Sequence, residues 1–328
     1  MCWERKPPST CSGAFNMFTP KGARSAPECA IAVRGLTKRF GHRVAIDDLT
    51  LSVRSGDICG LAGANGGGKS TSLRLLAGLL APDRGEGFVL GCDLVRGARQ
   101  VRHEVGYLAQ RGALYPTLSV RENLRFRAAV FGLSDPLRAA DVQIAAFGFT
   151  EFAAVPVDQL SGGWCRQVDL AATLIHRPRV VLLDEPTAGL DPAARQAIWR
   201  RLISLAAQGT AIVLSTHDLV EAQRCAHVLL LSEGRIRASG SPHEVAAQCD
   251  ALALIVSGPD VLSLPDRLQS RLVLAVHPMG NNIRLVVSAD ARGRVEALIT
   301  SQGCRSTATN LTLEDAALVV AHRGGALV

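Results

Sequence analysis

The chain has 328 residues, 48% of them hydrophobic, enough to bury one large core and a smaller one without disulfide help. Nine cysteines lie scattered from Cys2 to Cys304 with no CxxC pair, which excludes a secreted disulfide scaffold and a clustered zinc site and fits free thiols in a reducing cytoplasm. The net charge is +7, and only Lys6, Lys21, Lys38 and Lys69 are lysines among the 36 Lys and Arg residues; no run of five basic residues and no aromatic ladder accompanies the arginines, so no nucleic-acid footprint is expected.

Residues 1–28 are rich in Pro, Ser, Gly and Cys and lack periodicity, and are expected to form a disordered N-terminal extension. Met17 inside it offers a later translation start. The segment holds no apolar block of signal-peptide length, and nowhere does the sequence approach the roughly 18 consecutive apolar residues of a membrane span. The expectation is a chain that neither follows that secretory route nor crosses a membrane by itself.

Strand-like runs and helices then alternate. Cys29–Val33 and Ile58–Ala62 are apolar strands, a glycine loop follows, and the spacing over Ser70–Leu80 predicts a helix that Pro82 and Gly85 end. Residues 112–177 lack strand runs and read as an inserted, mostly helical subdomain. Val180–Leu183, Ala211–Ser215 and Val228–Ser232 are continuous apolar runs, the mark of buried strands joined through helices in an α/β fold with a largely parallel sheet. This first domain is expected over 29–247. From Gln248 onward the pattern changes. Strand 251–256, helix 260–270, strands 272–276 and 283–288 about a Gly280-Asn281 turn, helix 292–302, strand 304–309 and helix 313–322 give a βαββαβ order, predicting a small α+β, ferredoxin-like domain over 248–328.

Gly63-Ala64-Asn65-Gly66-Gly67-Gly68-Lys69-Ser70 fits G-x-x-x-x-G-K-[ST] between a strand and a helix, with Thr71 in the helix's first turn. Glycines let backbone N–H groups approach phosphate oxygens, and the helix N-terminus adds partial positive charge. Lys69 is the expected partner of the β- and γ-phosphates and Ser70 of Mg²⁺. Val180–Asp184 is an apolar strand that delivers Asp184 to its carboxyl end, where it can hold Mg²⁺, and Glu185 beside it can accept a proton from an attacking water. A strand ending in two solvated acids is the plainer alternative for an isolated run of this kind.

About twenty residues before that strand stands Leu160-Ser161-Gly162-Gly163-Trp164. With the phosphate loop and the acidic strand it resembles the signature of ATP-binding-cassette (ABC) ATPases. Further elements follow in that family's order over roughly 30–245. Gln110 is similar to the Q-loop glutamine and Asp191 to the D-loop aspartate. His217 resembles the switch histidine, and Phe40 the aromatic that stacks on adenine. A single Gln, His or Phe is usually structural; the weight lies in their order. Trp164 stands where Gln is usual, Cys165 where a basic residue is common, and Ala64 where Pro is frequent. Cys165 in the first turn of the signature helix is either a thiolate-prone group or an inertly packed small residue.

The resemblance implies a P-loop NTPase cassette with a mainly parallel core, N-terminal antiparallel strands and a helical insertion. It implies ATP as substrate with Mg²⁺ held by Ser70, Gln110 and Asp184, and catalysis by Glu185, His217, Lys69 and Gln110. In this family two cassettes face each other, each ATP lying between one phosphate loop and the other's signature. One of each occurs here, so a second copy or a paralogue is expected, together with a membrane subunit, at the cytoplasmic face of the membrane. The segment Arg111–Glu122 resembles the surface that grips that subunit. Gly-Tyr-Leu-Ala-Gln110, the Trp164 signature and the tail Leu311–Ala316 look like exporters of drugs, lipids or polysaccharides. An importer ATPase and a soluble cassette protein acting on ribosomes or DNA are the alternatives.

Overall fold

Period-two burial builds the first sheet. In the computed structural model, which describes residues 29–264 and 272–323, Leu49, Leu51 and Val53 are buried and alternate with exposed Thr50, Ser52 and Arg54, the pattern of a strand with one face on a core. The expected N-terminal extension and most of the helix expected over 260–270 lie outside the described residues. The chain divides into two units. One holds residues up to Cys59, Gly68–Thr216 and Glu233–Arg235; the other holds Gly60–Gly67, His217–Ser232 and residues from Ile236 on.

In the first unit β1 (Cys29–Phe40) and β2 (Arg43–Arg54) form an antiparallel pair; after β3 (Ile58–Ala62), which enters the second unit at Gly60, comes helix α1 (Lys69–Leu76). β4 (Arg84–Val89) and β5 (Cys92–Asp93) complete a sheet in the order β2-β1-β4-β5. The helix expected to run to Leu80 stops at Leu76. Gly78 turns left-handed at φ +65°, and the N–H groups of Leu79 and Leu80 donate back to Arg74 O at 2.9 and 3.2 Å, so the glycine terminates the helix before the apolar pattern does.

After α2 (Ala98–Glu104), strands β6 (Val105–Leu108), β7 (Val180–Asp184) and β8 (Ala211–Thr216) pair in parallel, with Leu108 opposite Leu183 and Asp184 opposite Ser215. Every residue of β7 and β8 is buried. Between β6 and β7 the chain forms helices and turns with one isolated bridge: α3 (Val120–Val130), α4 (Pro136–Phe147) and α5 (Gly162–Thr173). Val120, Leu124 and Ala128, four residues apart on α3, bury one stripe against Ala140 and Ile144 of α4 and the fully buried Phe149. Ser119 and Glu122 close a capping box at the start of α3. Helix α6 (Pro192–Ala207) buries Trp199 and lies between β7 and β8 in sequence.

Within this helical insertion Phe131 stacks on His176, ring centroids 3.7 Å apart at 9°, and takes the edge of His103 at 6.0 Å. Burial, with the charge of His103 and then Arg127, pushes His176 down to about 4. A histidine whose folded value lies below its unfolded 6.5 favours the fold fully above pH 6.5 and loses that contribution as pH falls towards 4. His176→Phe keeps an aromatic partner for Phe131, so its melting temperature is expected to fall less between pH 7 and 5 than the parent's. Equal acid slopes in thermal melts would refute the assignment.

In the second unit come α7 (Leu219–Ala222), β9 (His227–Ser232), β10 (Arg235–Gly240) beside β9, and α8 (Pro242–Ala247), capped by the Ser241/Glu244 box. The remaining strands are β11 (Ala251–Ser257), β12 (Val273–Met279) and β13 (Asn282–Ser288), followed by α9 (Arg292–Ser301), β14 (Arg305–Thr309) and α10 (Leu313–Arg323). They make an antiparallel sheet in the order β12-β13-β11-β14. Ile283, Leu285 and Val287 pack with Val295 and Ile299 of α9, while Val286 turns to the other face and meets Val319 of α10. Alternation along one strand thus buries both faces. Edge strand β12 carries Pro278, which denies a donor to foreign strands.

Candidate functional site

Parallel strands deliver their carboxyl ends to one edge of a sheet, where open α/β folds place ligands. In the first unit β7 ends in Asp184, 1% exposed, with Glu185 next and Gln110 two residues past β6. Ser70, in the first turn of α1, donates from its hydroxyl to Asp184 Oδ1 at 2.9 Å. Ser215 at the end of β8 donates to the same oxygen at 2.7 Å and accepts from the Glu185 N–H at 2.9 Å. Gln110 Nε2 donates to Glu185 Oε2 at 3.3 Å. Lys69 is 5% exposed; burial pulls its ammonium below the usual lysine value, against the opposing charges of Glu185 and Asp184. Lys69, Ser70, Gln110, Asp184 and Glu185 therefore meet in one place.

Asp184 Oδ2 is buried and has no hydrogen-bond partner among the described residues. A buried carboxylate oxygen left so is costly. With the hydroxyl of Ser70 and the amide of Gln110, it makes a set of hard oxygen donors that fits Mg²⁺.

Glu185 itself sits at φ +46°, a left-handed conformation for a residue with a side chain, which costs about 1–3 kcal/mol unless its surroundings enforce it. The enforcing group is one that sequence reasoning passes over, Arg166 of α5. Its guanidinium donates to Asp184 O (2.8 Å), Glu185 O (3.0 Å), Pro186 O (3.1 Å) and Ala109 O (2.9 Å). Asp169, one turn on, is also buried. A charged pair three residues apart on a helix that otherwise buries Val168, Leu170 and Ala171 is the signal that could have found them. Ser215 stands within the Ser215-Thr216-His217-Asp218 run without declaring its part.

The signature segment also lies in the first unit. Leu160 precedes Ser161, whose hydroxyl caps α5 by accepting from the Trp164 N–H at 3.4 Å; Gly162 opens the helix and Gly163 follows. The Trp164 indole packs beside Phe152 at 4.7 Å and Phe149 at 6.0 Å, which ties it into the helical insertion. Asp191 caps α6, accepting from Ala193 and Ala194 N–H groups at 2.9 Å each. Ser161, Gly163, Trp164 and Asp191 line an open cleft of about 660 Å³ that none of the Lys69–Glu185 cluster lines. Phe40 ends β1 half-exposed, with Lys38 Nζ 5.7 Å from its ring centre.

In the second unit the loop Gly63–Gly67 turns on a Gly67 N–H to Ala64 O bond of 3.2 Å, with Ala64, Asn65 and Gly66 exposed. Gly63 adopts φ +145°, and a Cβ there would strike Leu231 O. Gly68 follows as the residue before α1, and half-buried Thr71 sits in that helix's first turn. His217 is exposed between β8 and α7, and Asp218 after it caps α7.

Cys165 corrects one of the two expectations. Its thiol donates to Val157 O at 3.3 Å and Leu160 O at 3.6 Å, and burial followed by the charge of Asp169 pushes it above the usual thiol value. The helix dipole loses to desolvation, and the inert packing holds. Alkylation of Cys165 is expected to be slower than that of a free thiol, with and without Mg-ATP, as peptide mapping after timed iodoacetamide labelling will read. Rapid labelling would reverse that assignment.

Residues 46–188 match the ABC transporter family. The chain is 39% identical over 225 residues to the probable multidrug ABC transporter ATP-binding protein YbhF of Escherichia coli strain K12, covering 67% of this chain but only 39% of that protein, so it spans about two fifths of that relative's length. It is 40% identical over 252 residues to the Nod factor export ATP-binding protein I of Paraburkholderia xenovorans, covering 74% of this chain and 81% of the relative. Among solved structures, an ATP-binding subunit of an ABC transporter superposes with a TM-score of 0.61 at 30% identity, over 67% of this chain and 92% of that one. The cbiO1 subunit of Clostridium perfringens gives 0.61 at 28% identity, over 67% and 91%.

Proposed function

For a chain that belongs to the ABC transporter family, we propose the role of ATP-binding and ATP-hydrolysing subunit, powering export of a substrate through a separate membrane subunit. The observation that carries this reading is the cluster of Lys69, Ser70, Asp184, Glu185 and Gln110 around one orphaned carboxylate oxygen. Lys69 would place its charge on the β- and γ-phosphates, whose cradle continues through Gly63–Gly68. Ser70, Asp184 and Gln110 would hold Mg²⁺, which when bound neutralises charge on the phosphate oxygens. Glu185 takes the proton of the attacking water, and Gln110 orients that carboxylate through its amide. Ser215 fixes both acids, one through its proton and the other through its lone pair. His217 would complete the set at the γ-phosphate, and Phe40 would receive the adenine ring.

The signature cleft stands apart from this cluster within one chain. That separation supports two cassettes sharing each ATP, with the exposed N-terminus of α5 at Ser161 and Gly162 offered to the other copy's γ-phosphate. Among the described residues no helix is long and apolar enough to cross a membrane; a channel on another polypeptide and a place at the cytoplasmic face are supported by the relatives' names as ATP-binding proteins of transporters. Export is favoured because YbhF and the Nod factor protein carry multidrug and export names.

The test is purification of the full chain from membranes in mild detergent. An integral membrane protein should accompany it, and Mg-ATP hydrolysis and nucleotide binding should both disappear in Lys69→Ala. Recovery with ribosomes or nucleic acid would overturn the transport reading, and a solute-binding protein in the complex would turn it to import.

A further inference from the structure

A guanidinium carries five N–H donors in a rigid fork and no acceptor. In Arg166 four carbonyls take them: Ala109, Asp184, Glu185 and Pro186. Three of those carbonyls are consecutive and converge on one point, an arrangement of parallel negative ends that a cation must hold together. The fourth belongs to the residue just before Gln110. The side chain is 10% exposed, and Asp169 at 8% lies 3.7 Å away as its counter-charge. Asp169 Oδ1 in turn accepts the Ala113 N–H at 3.2 Å, and its other oxygen stands against Gly112. Gln110 is thus bracketed on both sides by one turn of α5, while the left-handed Glu185 is gripped through its own carbonyl and its two neighbours'.

We infer that Arg166 is a positioning residue that sets the Glu185 carboxylate and the Gln110 amide in the geometry hydrolysis requires. Its guanidinium bonds the carbonyls of 109 and 184–186, not the Glu185 carboxylate or the Gln110 amide. It acts by fixing the backbone at 109 and 184–186, from which the 3.3 Å contact between Gln110 and Glu185 follows. Because α5 also begins with Ser161–Gly163, any tilt of that helix moves the signature and the fork together. A bare packing brace predicts something different: nucleotide affinity falling along with rate.

The inference rests on the ATPase reading, so the test keeps the two apart. Full-length wild type, Glu185→Gln, Arg166→Ala and Arg166→Lys are compared for kcat, KM, ATP affinity, melting temperature, and amide hydrogen exchange over 109–113 and 184–188. If wild type does not hydrolyse ATP, the ATPase reading fails whatever Arg166 does; if it does and Glu185→Gln turns over alike, Glu185 is not the base. If they differ, Arg166→Ala should lose about 10²-fold in kcat, the scale of an ångström's misplacement. KM and ATP affinity should stay within about three-fold. Exchange should rise at the two named segments. Arg166→Lys, a point charge without the fork, should fall between alanine and wild type. Guanidinium at low millimolar concentration should raise the rate of Arg166→Ala but leave Glu185→Gln at its floor. A kcat for Arg166→Ala within about three-fold of wild type would overturn the inference. So would a loss of ATP affinity that matches the loss of rate, or the absence of guanidinium rescue in a folded Arg166→Ala protein.

Discussion

Glu185→Gln is expected to lower ATP turnover by about 10²–10⁴-fold, the usual cost of losing a general base, while nucleotide binding persists. The amide keeps the volume of the side chain and leaves the backbone anchors in place: the Glu185 N–H on Ser215 and its carbonyl on Arg166. Asp184 keeps both serine hydroxyls, so the donors proposed for Mg²⁺ are untouched. Only the proton acceptor is lost. With ATP bound as proposed, one negative charge also leaves the neighbourhood of its γ-phosphate, which favours the bound state. If ATP joins two cassettes, the variant should run as a dimer in Mg-ATP and as a monomer without it, read by light scattering after size exclusion. Turnover near the wild-type rate would remove Glu185 from the role of base.

The second large effect concerns the antiparallel sheet of the second unit. Asp315, 1% exposed in the first turn of α10, accepts from Arg284 Nη2 at 2.6 Å and from Arg284 Nε at 3.2 Å. It also accepts the Thr312 N–H at 2.7 Å and the Thr312 hydroxyl at 2.9 Å, and Thr312 Oγ1 caps the Asp315 N–H in return. Arg284 reaches on to Asn310 O at 2.6 Å. This knot fastens α10 to β13. Asp315→Ala would take the buried carboxylate from the Arg284 guanidinium, itself 13% exposed, a loss of about 3 kcal/mol, the low end for a buried pair. A double variant, Arg284→Met with Asp315→Leu, should recover much of it, because no charge is left unpaired. Urea unfolding of the four proteins gives the coupling directly; additive losses would show that the pair is not coupled. Burial alone would raise the Asp315 carboxyl, but the bonds from Arg284 and Thr312 outweigh it and hold it below the usual carboxylate range. Its contribution should therefore be complete above about pH 4 and fade as pH falls below that value.

Strands β7, β8 and β9 are legible because strands buried on both faces must be apolar throughout, and continuous runs result. Strand β6 is not: Val105-Gly106-Tyr107-Leu108 is four residues long with a glycine, too short for any period. Strand β4 hides likewise behind Gly85 and Gly87. The strands beyond residue 250 announce themselves through alternation and the Gly280-Asn281 turn, and β11, β13 and β14 stand within a residue of their expected bounds. At the site, Lys69, Asp184 and Glu185 stand in a short motif each and are readable. Arg166 bonds backbone carbonyls, and Ser215 donates one hydrogen bond and accepts another. Such roles depend on which distant segments come together, and no local spacing records that.

Gly63 has a genetic consequence. Its α-carbon faces Leu231 O at a φ that side chains rarely adopt, so the position cannot be varied even conservatively. Every missense change in codon 63 should behave as a null allele, whereas Ala64 and Asn65, exposed at the tip of the same loop, have room for replacement. A saturation library across 63–65, selected for whatever growth advantage the intact protein confers, should return glycine alone at the first position and a mixed population at the next two. The loop would then show a sharp step in tolerance between adjacent residues.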